Sequence, residues 1–177
     1  MTVDEFLAWA EERPGRYELC DGEVVAMSPE QVLHARTKVA VQTALAAAIE
    51  AAGLSCEAFP NGLTVRVNER TAYDPDAAVS CGPRLPDEAV ELADPVIVVE
   101  VLSPSTRRVD ATRKLIDYLR LASVHHYLIV DAGHRVVIHH RRGAEIIETR
   151  IACEGDLSFD PPGLTLSVAD LLPRADS

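Results

Sequence analysis

At 177 residues the chain is long enough for one domain with a self-sufficient core, and 47% hydrophobic with 25% charged residues are globular values. Its longest wholly apolar stretch falls far short of the roughly 20 residues that cross a bilayer, which excludes a membrane-spanning helix and any membrane partner reached that way. The net charge of −11 argues against a nonspecific nucleic-acid binder, yet residues 100–150 carry nine Lys and Arg against six Asp and Glu, so a locally basic segment stands in an otherwise acidic chain.

The chain opens on Met1-Thr2-Val3-Asp4-Glu5, acidic where a signal peptide would be basic and with no apolar run behind it, so a cytoplasmic protein is expected. Val3, Phe6, Leu7, Trp9 and Ala10 predict a short amphipathic helix that caps the core over residues 1–14 and stops at Pro14-Gly15. Tyr17 to Met27 reads as two strands around Asp21-Gly22, a strong hairpin signal. Ser28-Pro29 then opens the longest helix, Glu30 to Ala52, ended by Gly53. Strands follow at Cys56–Phe59, at Leu63–Val67 and at Ala77–Val79. Val96-Ile97-Val98-Val99 is a β-branched run that reads as a strand buried on both faces. Ser103-Pro104-Ser105 supplies a cap for a helix from Thr106 to Ala122, with Val109, Leu115, Ile116 and Leu119 as its apolar stripe. The strand Val124–Val130 then pairs parallel to the earlier one through that crossover helix. A hairpin of Arg135–His140 and Ile146–Ile151 and an appendage over residues 152–177 complete one domain, an α/β fold in which helices flank a mixed sheet.

Cys20, Cys56, Cys81 and Cys153 are scattered without C-x-x-C spacing and read as reduced core residues. His125-His126 and His139-His140 cannot chelate as adjacent pairs, because neighbouring residues of a strand point to opposite faces.

Two carboxylates carry the chemistry. Asp76, in Tyr73-Asp74-Pro75-Asp76, precedes one apolar strand, and Glu100 ends another, where an ionised side chain is costly unless paired or holding a metal. A carboxylate at a strand start and one at a strand end can converge on one rim of a sheet, where the carbonyl of Val101 offers a third hard oxygen for Mg²⁺ or Mn²⁺. Taken as structure alone, Asp76 is a turn residue and Glu100 the partner of an arginine. Lys114 lies on a polar stripe with Arg107, Asp110 and Asp117, either as a surface partner of Asp110 or as the group that orients attacking water and offsets charge on a phosphate.

Asp21-Gly22-Glu23, Ser28-Pro29 with His34, Pro75-Asp76, the run Val99-Glu100-Val101-Leu102-Ser103-Pro104-Ser105-Thr106, Asp110 with Lys114 and Tyr118, and Tyr127 to Asp131 together resemble the Uma-type family, whose members are classed with restriction endonucleases of the PD-(D/E)XK superfamily. The resemblance implies a restriction-endonuclease-like core and Mg²⁺-dependent cleavage of DNA. It maps Pro75-Asp76 and Glu100 onto the superfamily's acidic positions. The superfamily lysine falls at Leu102, and the Uma-type pattern instead supplies it from the following helix as Lys114. Glu23, with Glu18 behind it, resembles the extra N-terminal acid that related nucleases bring to the metal, and His34 and Ser103 are further site candidates.

The sequence thus leads to an Mg²⁺-dependent endodeoxyribonuclease with Asp76 and Glu100 on the metal, Lys114 at the water and Glu23 assisting. A homodimer is expected if duplex DNA is cut, since that takes two sites. The rival reading is a nuclease-fold protein that binds nucleic acid or a partner protein without cutting, which the acidic balance and Leu102 keep open.

Overall fold

The computed structural model describes residues 1–102 and 110–173 and, within the third helix, side chains from residue 112 onward. The elements are α1 (Val3–Glu11), β1 (Tyr17–Cys20), β2 (Glu23–Ala26), α2 (Val32–Ala51), β3 (Glu57–Pro60), β4 (Val65–Asn68), β5 (Thr71–Tyr73) and β6 (Ala77–Ser80). They continue with β7 (Pro95–Val101), α3 (Asp110–Arg120), β8 (His126–Asp131), β9 (Val136–Arg142), β10 (Ile147–Ala152), β11 (Asp156–Phe159) and β12 (Leu164–Ser167).

Local chemistry accounts for the boundaries. Thr2 and Glu5 form a reciprocal capping box at the start of α1. Asp21 and Gly22 both take positive φ, as the tight β1–β2 turn requires, and Gly53 does so just after α2. The helix expected from Glu30 starts two residues later, with Gln31 at a cap position where it makes no side-chain bond.

Where the sequence suggests one mixed sheet, the strands form two larger sheets and a hairpin. The main sheet has six strands in the order β10-β9-β8-β7-β6-β3, with β7 and β8 parallel and its other pairs antiparallel. A second sheet runs β2-β1-β5-β4, and β11 pairs with β12. β5 is a strand the sequence pattern does not announce, since Thr71-Ala72-Tyr73 is too short to show alternation.

The period-two alternation of β7 divides the core. Ile97, Val99 and Val101 face Val41, Leu45 and Ile49 of α2, while Val98 faces the α3 side with Tyr118, Leu119, Tyr127 and Ile129. Glu100 occupies the next position on that second face. The C-terminal hairpin is more than an appendage in packing terms: Leu157, Phe159, Leu164 and Leu166 join the first cluster beside α2.

Two expectations are corrected. Cys56 and Cys81 form a disulfide, because the β3–β6 register that pairs Glu57 with Ser80 also sets these cysteines opposite one another. Cys20 and Cys153 take no part in the disulfide, and the second of them is exposed. The inner face of α3 also differs from the apolar stripe expected: Ile116 is 47% exposed, while Lys114, Asp117 and Tyr118 are buried. Val109, the cap at Ser103-Pro104-Ser105 and the helix start at Thr106 lie outside the described residues.

Candidate functional site

Asp76 stands immediately before β6 and Glu100 one residue before the end of β7. The register Ala77 to Val99, carried one step outward, sets the two acids opposite each other at the same rim. The backbone N–H of Val101 donates to Asp76 Oδ2 at 2.8 Å. Val101 therefore offers its amide to one acid while following directly on the other.

From the α3 side, Lys114 donates from Nζ to Glu18 Oε1 at 2.8 Å and to Glu100 Oε1 at 3.1 Å, with only 6% of its side chain exposed. Tyr118, one turn on, donates its hydroxyl to Glu100 Oε1 at 3.1 Å. Glu18 also accepts the Asp74 amide at 3.1 Å, and the Lys114 ammonium lies 5.1 Å from the centre of the Tyr73 ring. Tyr73 in turn donates to Asp117 at 2.7 Å. Lys114, Asp117 and Tyr118 are spaced i, i+3 and i+4, which puts all three on one helix face against β1, β5 and β7.

Burial pushes the Glu100 carboxyl up to about 8, with Asp76 and Glu18 adding to the rise and Lys114 opposing it. Burial likewise raises the Tyr118 phenol well above its ordinary value, so it stays a donor.

From the α2 side, His34 donates from Nε2 to the Val101 carbonyl at 2.9 Å and stands 3.4 Å from Asp76 Oδ2. Its hydrogen bond to Asp76 raises its pKa above the ordinary histidine value, in spite of burial. His34 Nδ1 is buried without a hydrogen-bond partner among the described residues, 3.9 Å from Glu30 Oε2. Lys38, one turn further, pairs with Glu30 and lies 3.9 Å from Asp76 Oδ1. Arg16 bridges Glu30 at 2.7 Å and Asp74 at 2.8 Å.

The structure therefore brings together Asp76, Glu100, Val101, Lys114, Glu18 and His34. It does not bring Glu23 to them: Glu23 is exposed beside the Asp21-Gly22 turn, while Glu18, on the inward side of the same hairpin, is 6% exposed and holds Lys114. Glu18 lies between Tyr17 and Leu19, and alternation alone does not say which face of the hairpin is inward. A surface pair of Lys114 with Asp110 does not describe Lys114, which is buried. Ser103 and the Asp110 side chain lie outside the described residues. Lys38, Arg16, Asp74 and Tyr118 were not assigned roles from the sequence. The i, i+4 spacing of His34 and Lys38 was the available signal for one of them.

Among the described residues two donor sets could hold a cation. Asp76, Glu100 and the Val101 carbonyl supply hard oxygens, as Mg²⁺ prefers. Glu30, His34 and Asp76 form a second group whose ligand atoms all lie within 4.8 Å of one another, and its imidazole favours softer divalent ions. The two sets share Asp76, and the His34 N–H lies at the corner between Asp76 and the Val101 carbonyl.

A mixed sheet with helices on its faces, and two opposed acids and a lysine at one rim, defines a restriction-endonuclease-like α/β protein. A family model described as "Putative restriction endonuclease" (Uma2) matches residues 3–173, and the chain belongs to that family. It is 30% identical over 133 residues to an uncharacterized protein of Synechocystis, covering 75% of this chain and 69% of that one. It also shares its fold with a crystal structure of a "putative nuclease belonging to DUF820" from Anabaena variabilis, at a TM-score of 0.73 and 20% identity over 97% of both chains.

Proposed function

We propose that the protein is an Mg²⁺-dependent endonuclease that hydrolyses phosphodiester bonds in DNA, with Mn²⁺ able to replace Mg²⁺. The observation that carries this reading is Lys114, buried and 3.1 Å from Glu100, which restores from a helix the lysine that Leu102 denies the strand. Asp76, Glu100 and the Val101 carbonyl would hold the ion. When bound, Mg²⁺ neutralises charge on the scissile phosphate and lowers the pKa of the attacking water. Burial alone leaves Glu100 reluctant to ionise, and a divalent cation at this rim would favour its charged form.

The chain's own residues then have separable tasks. Lys114 orients the attacking water and offsets charge building on the phosphate. Glu18 fixes the ammonium from behind, and Tyr118 fixes the Glu100 carboxylate. His34 and Lys38 add positive charge beside Asp76, on the side where a phosphate would approach.

The test is incubation of purified protein with supercoiled plasmid and Mg²⁺ or Mn²⁺, beside a Glu100→Ala control. Metal-dependent nicking that disappears in the control is the expected result. Nicking that survives the substitution refutes the site, and inertness toward every DNA form, with retained binding, favours the non-cutting reading.

A further inference from the structure

The edge strand β10 carries an arrangement that the proposed nuclease site does not use. Its residues Ile147, Glu148, Thr149, Arg150 and Ile151 are all exposed, with Ile147 47% and Ile151 69% accessible. Among the described residues β10 has a hydrogen-bonded neighbour on one side only, β9.

The backbone phase of that pairing can be read directly. Gly143 donates its N–H to the Ile146 carbonyl at 2.9 Å, and the register continues as Ile147 with Arg142 and Glu148 with Arg141. Hydrogen-bonded and non-hydrogen-bonded pairs alternate along an antiparallel ladder, so Glu148 and Arg150 turn their backbone groups toward β9. Arg142 donates to His125 on the opposite side of β9, as the same phase demands. Ile147, Thr149 and Ile151 consequently present their N–H and C=O groups outward, away from the sheet.

We propose that β10 pairs antiparallel with β10 of a second copy about a two-fold axis at Thr149, merging two six-stranded sheets into one. An antiparallel match that joins outward groups to outward groups must pair odd residues with odd ones. Centred on Thr149, it sets Thr149 against itself and Ile147 against Ile151 of the second copy, each a hydrogen-bonded pair. The intervening non-hydrogen-bonded positions, where side chains approach most closely, then oppose Glu148 to Arg150 of the second copy, twice. Shifting the centre by one residue preserves the hydrogen-bond phase but sets Glu148 against Glu148, or Arg150 against Arg150. The segment Ile-Glu-Thr-Arg-Ile is thus complementary to itself in charge and apolar character in one register. Edge strands that avoid partners use proline, bulges or like charges instead.

β7 lies three strands inward from β10, so the two candidate sites in this dimer would sit about seven strand spacings, on the order of 30 Å, apart. Neither copy contributes a residue to the other's site. The inference therefore stands independently of the nuclease reading, and an inactive protein could still confirm it.

Sedimentation velocity of the full chain over a concentration series, with and without two charge reversals, tests the proposal. The wild type dimerises reversibly. Glu148→Arg and Arg150→Glu each weaken the dimer at least about tenfold by converting two attractive cross-strand pairs into repulsive ones, and the double variant recovers it. Thr149→Pro, which removes an outward N–H while leaving the β9 ladder intact, also loses the dimer and serves if a reversal fails to fold by circular dichroism. A wild type that stays monomeric at its solubility limit overturns the proposal. So does a dimer insensitive to the folded variants, or a double variant as weak as the singles.

Discussion

The strongest quantitative consequence of the site concerns Glu100 in the absence of metal. Its carboxyl is moved from an ordinary 4.5 to about 8, chiefly by burial. In the unfolded chain it ionises near 4.5, so between those two values the folded state holds a proton that the unfolded state has released. Stability from this group is complete below pH 4.5 and is lost as pH rises through 8. At 1.36 kcal/mol per pH unit the loss amounts to about 5 kcal/mol at most, and relaxation around the Glu18–Lys114 pair lowers it from that ceiling. Glu100→Gln keeps an acceptor for Lys114 and Tyr118 and removes the ionisation. Urea unfolding in chelator at pH 5, 6.5 and 8 should show the variant more stable than the wild type at pH 8, nearly equal at pH 5, and flatter between them. If the two proteins show the same slope, or the variant is the less stable at pH 8, the burial argument for Glu100 is wrong.

Lys114→Met should both abolish nicking and lower stability by about 3–5 kcal/mol near neutral pH, because it leaves buried Glu18 without its cation; plasmid assays and denaturant melts read the two effects separately. Glu18→Gln should reduce plasmid nicking by at least about tenfold, in the range of a lost electrostatic positioning contact, whereas Glu23→Gln should leave the rate within about twofold. The core imidazoles predict acid sensitivity: His126 Nδ1 and His139 Nε2 are 2.9 Å apart in the sheet, and burial lowers each pKa from 6.5 to about 4. Folded stability is therefore full above 6.5 and falls as pH drops toward 4, by about 3 kcal/mol for one such histidine, and His139→Gln should flatten that limb of a pH–stability curve.

The two histidines also show how far strand alternation carries. It excludes chelation by His125 with His126, but it is silent on the neighbouring strand, which brings His139 to His126. The disulfide is the same lesson, for Cys56 and Cys81 meet only because β3 and β6 pair in one register. Lys114 shows the opposite limit. Helical spacing put it on a polar stripe with Asp117, and only packing made that stripe the buried one.

Local chemistry was determined by the sequence itself: the Asp21-Gly22 turn, the helix ended before Gly53, the β-branched run closed by Glu100, and the parallel β7–β8 crossover are all short-range or periodic signals. The placement of Asp76 and Glu100 at strand ends was legible for the same reason. Tertiary structure alone decided which of Glu18 and Glu23 faces inward, that His34 and Lys38 of α2 reach Asp76, and that Lys114 lies between two acids from different strands. These contacts join residues as many as 96 positions apart. They depend on sheet register and helix rotation, which burial of the whole core sets and no local window of sequence contains.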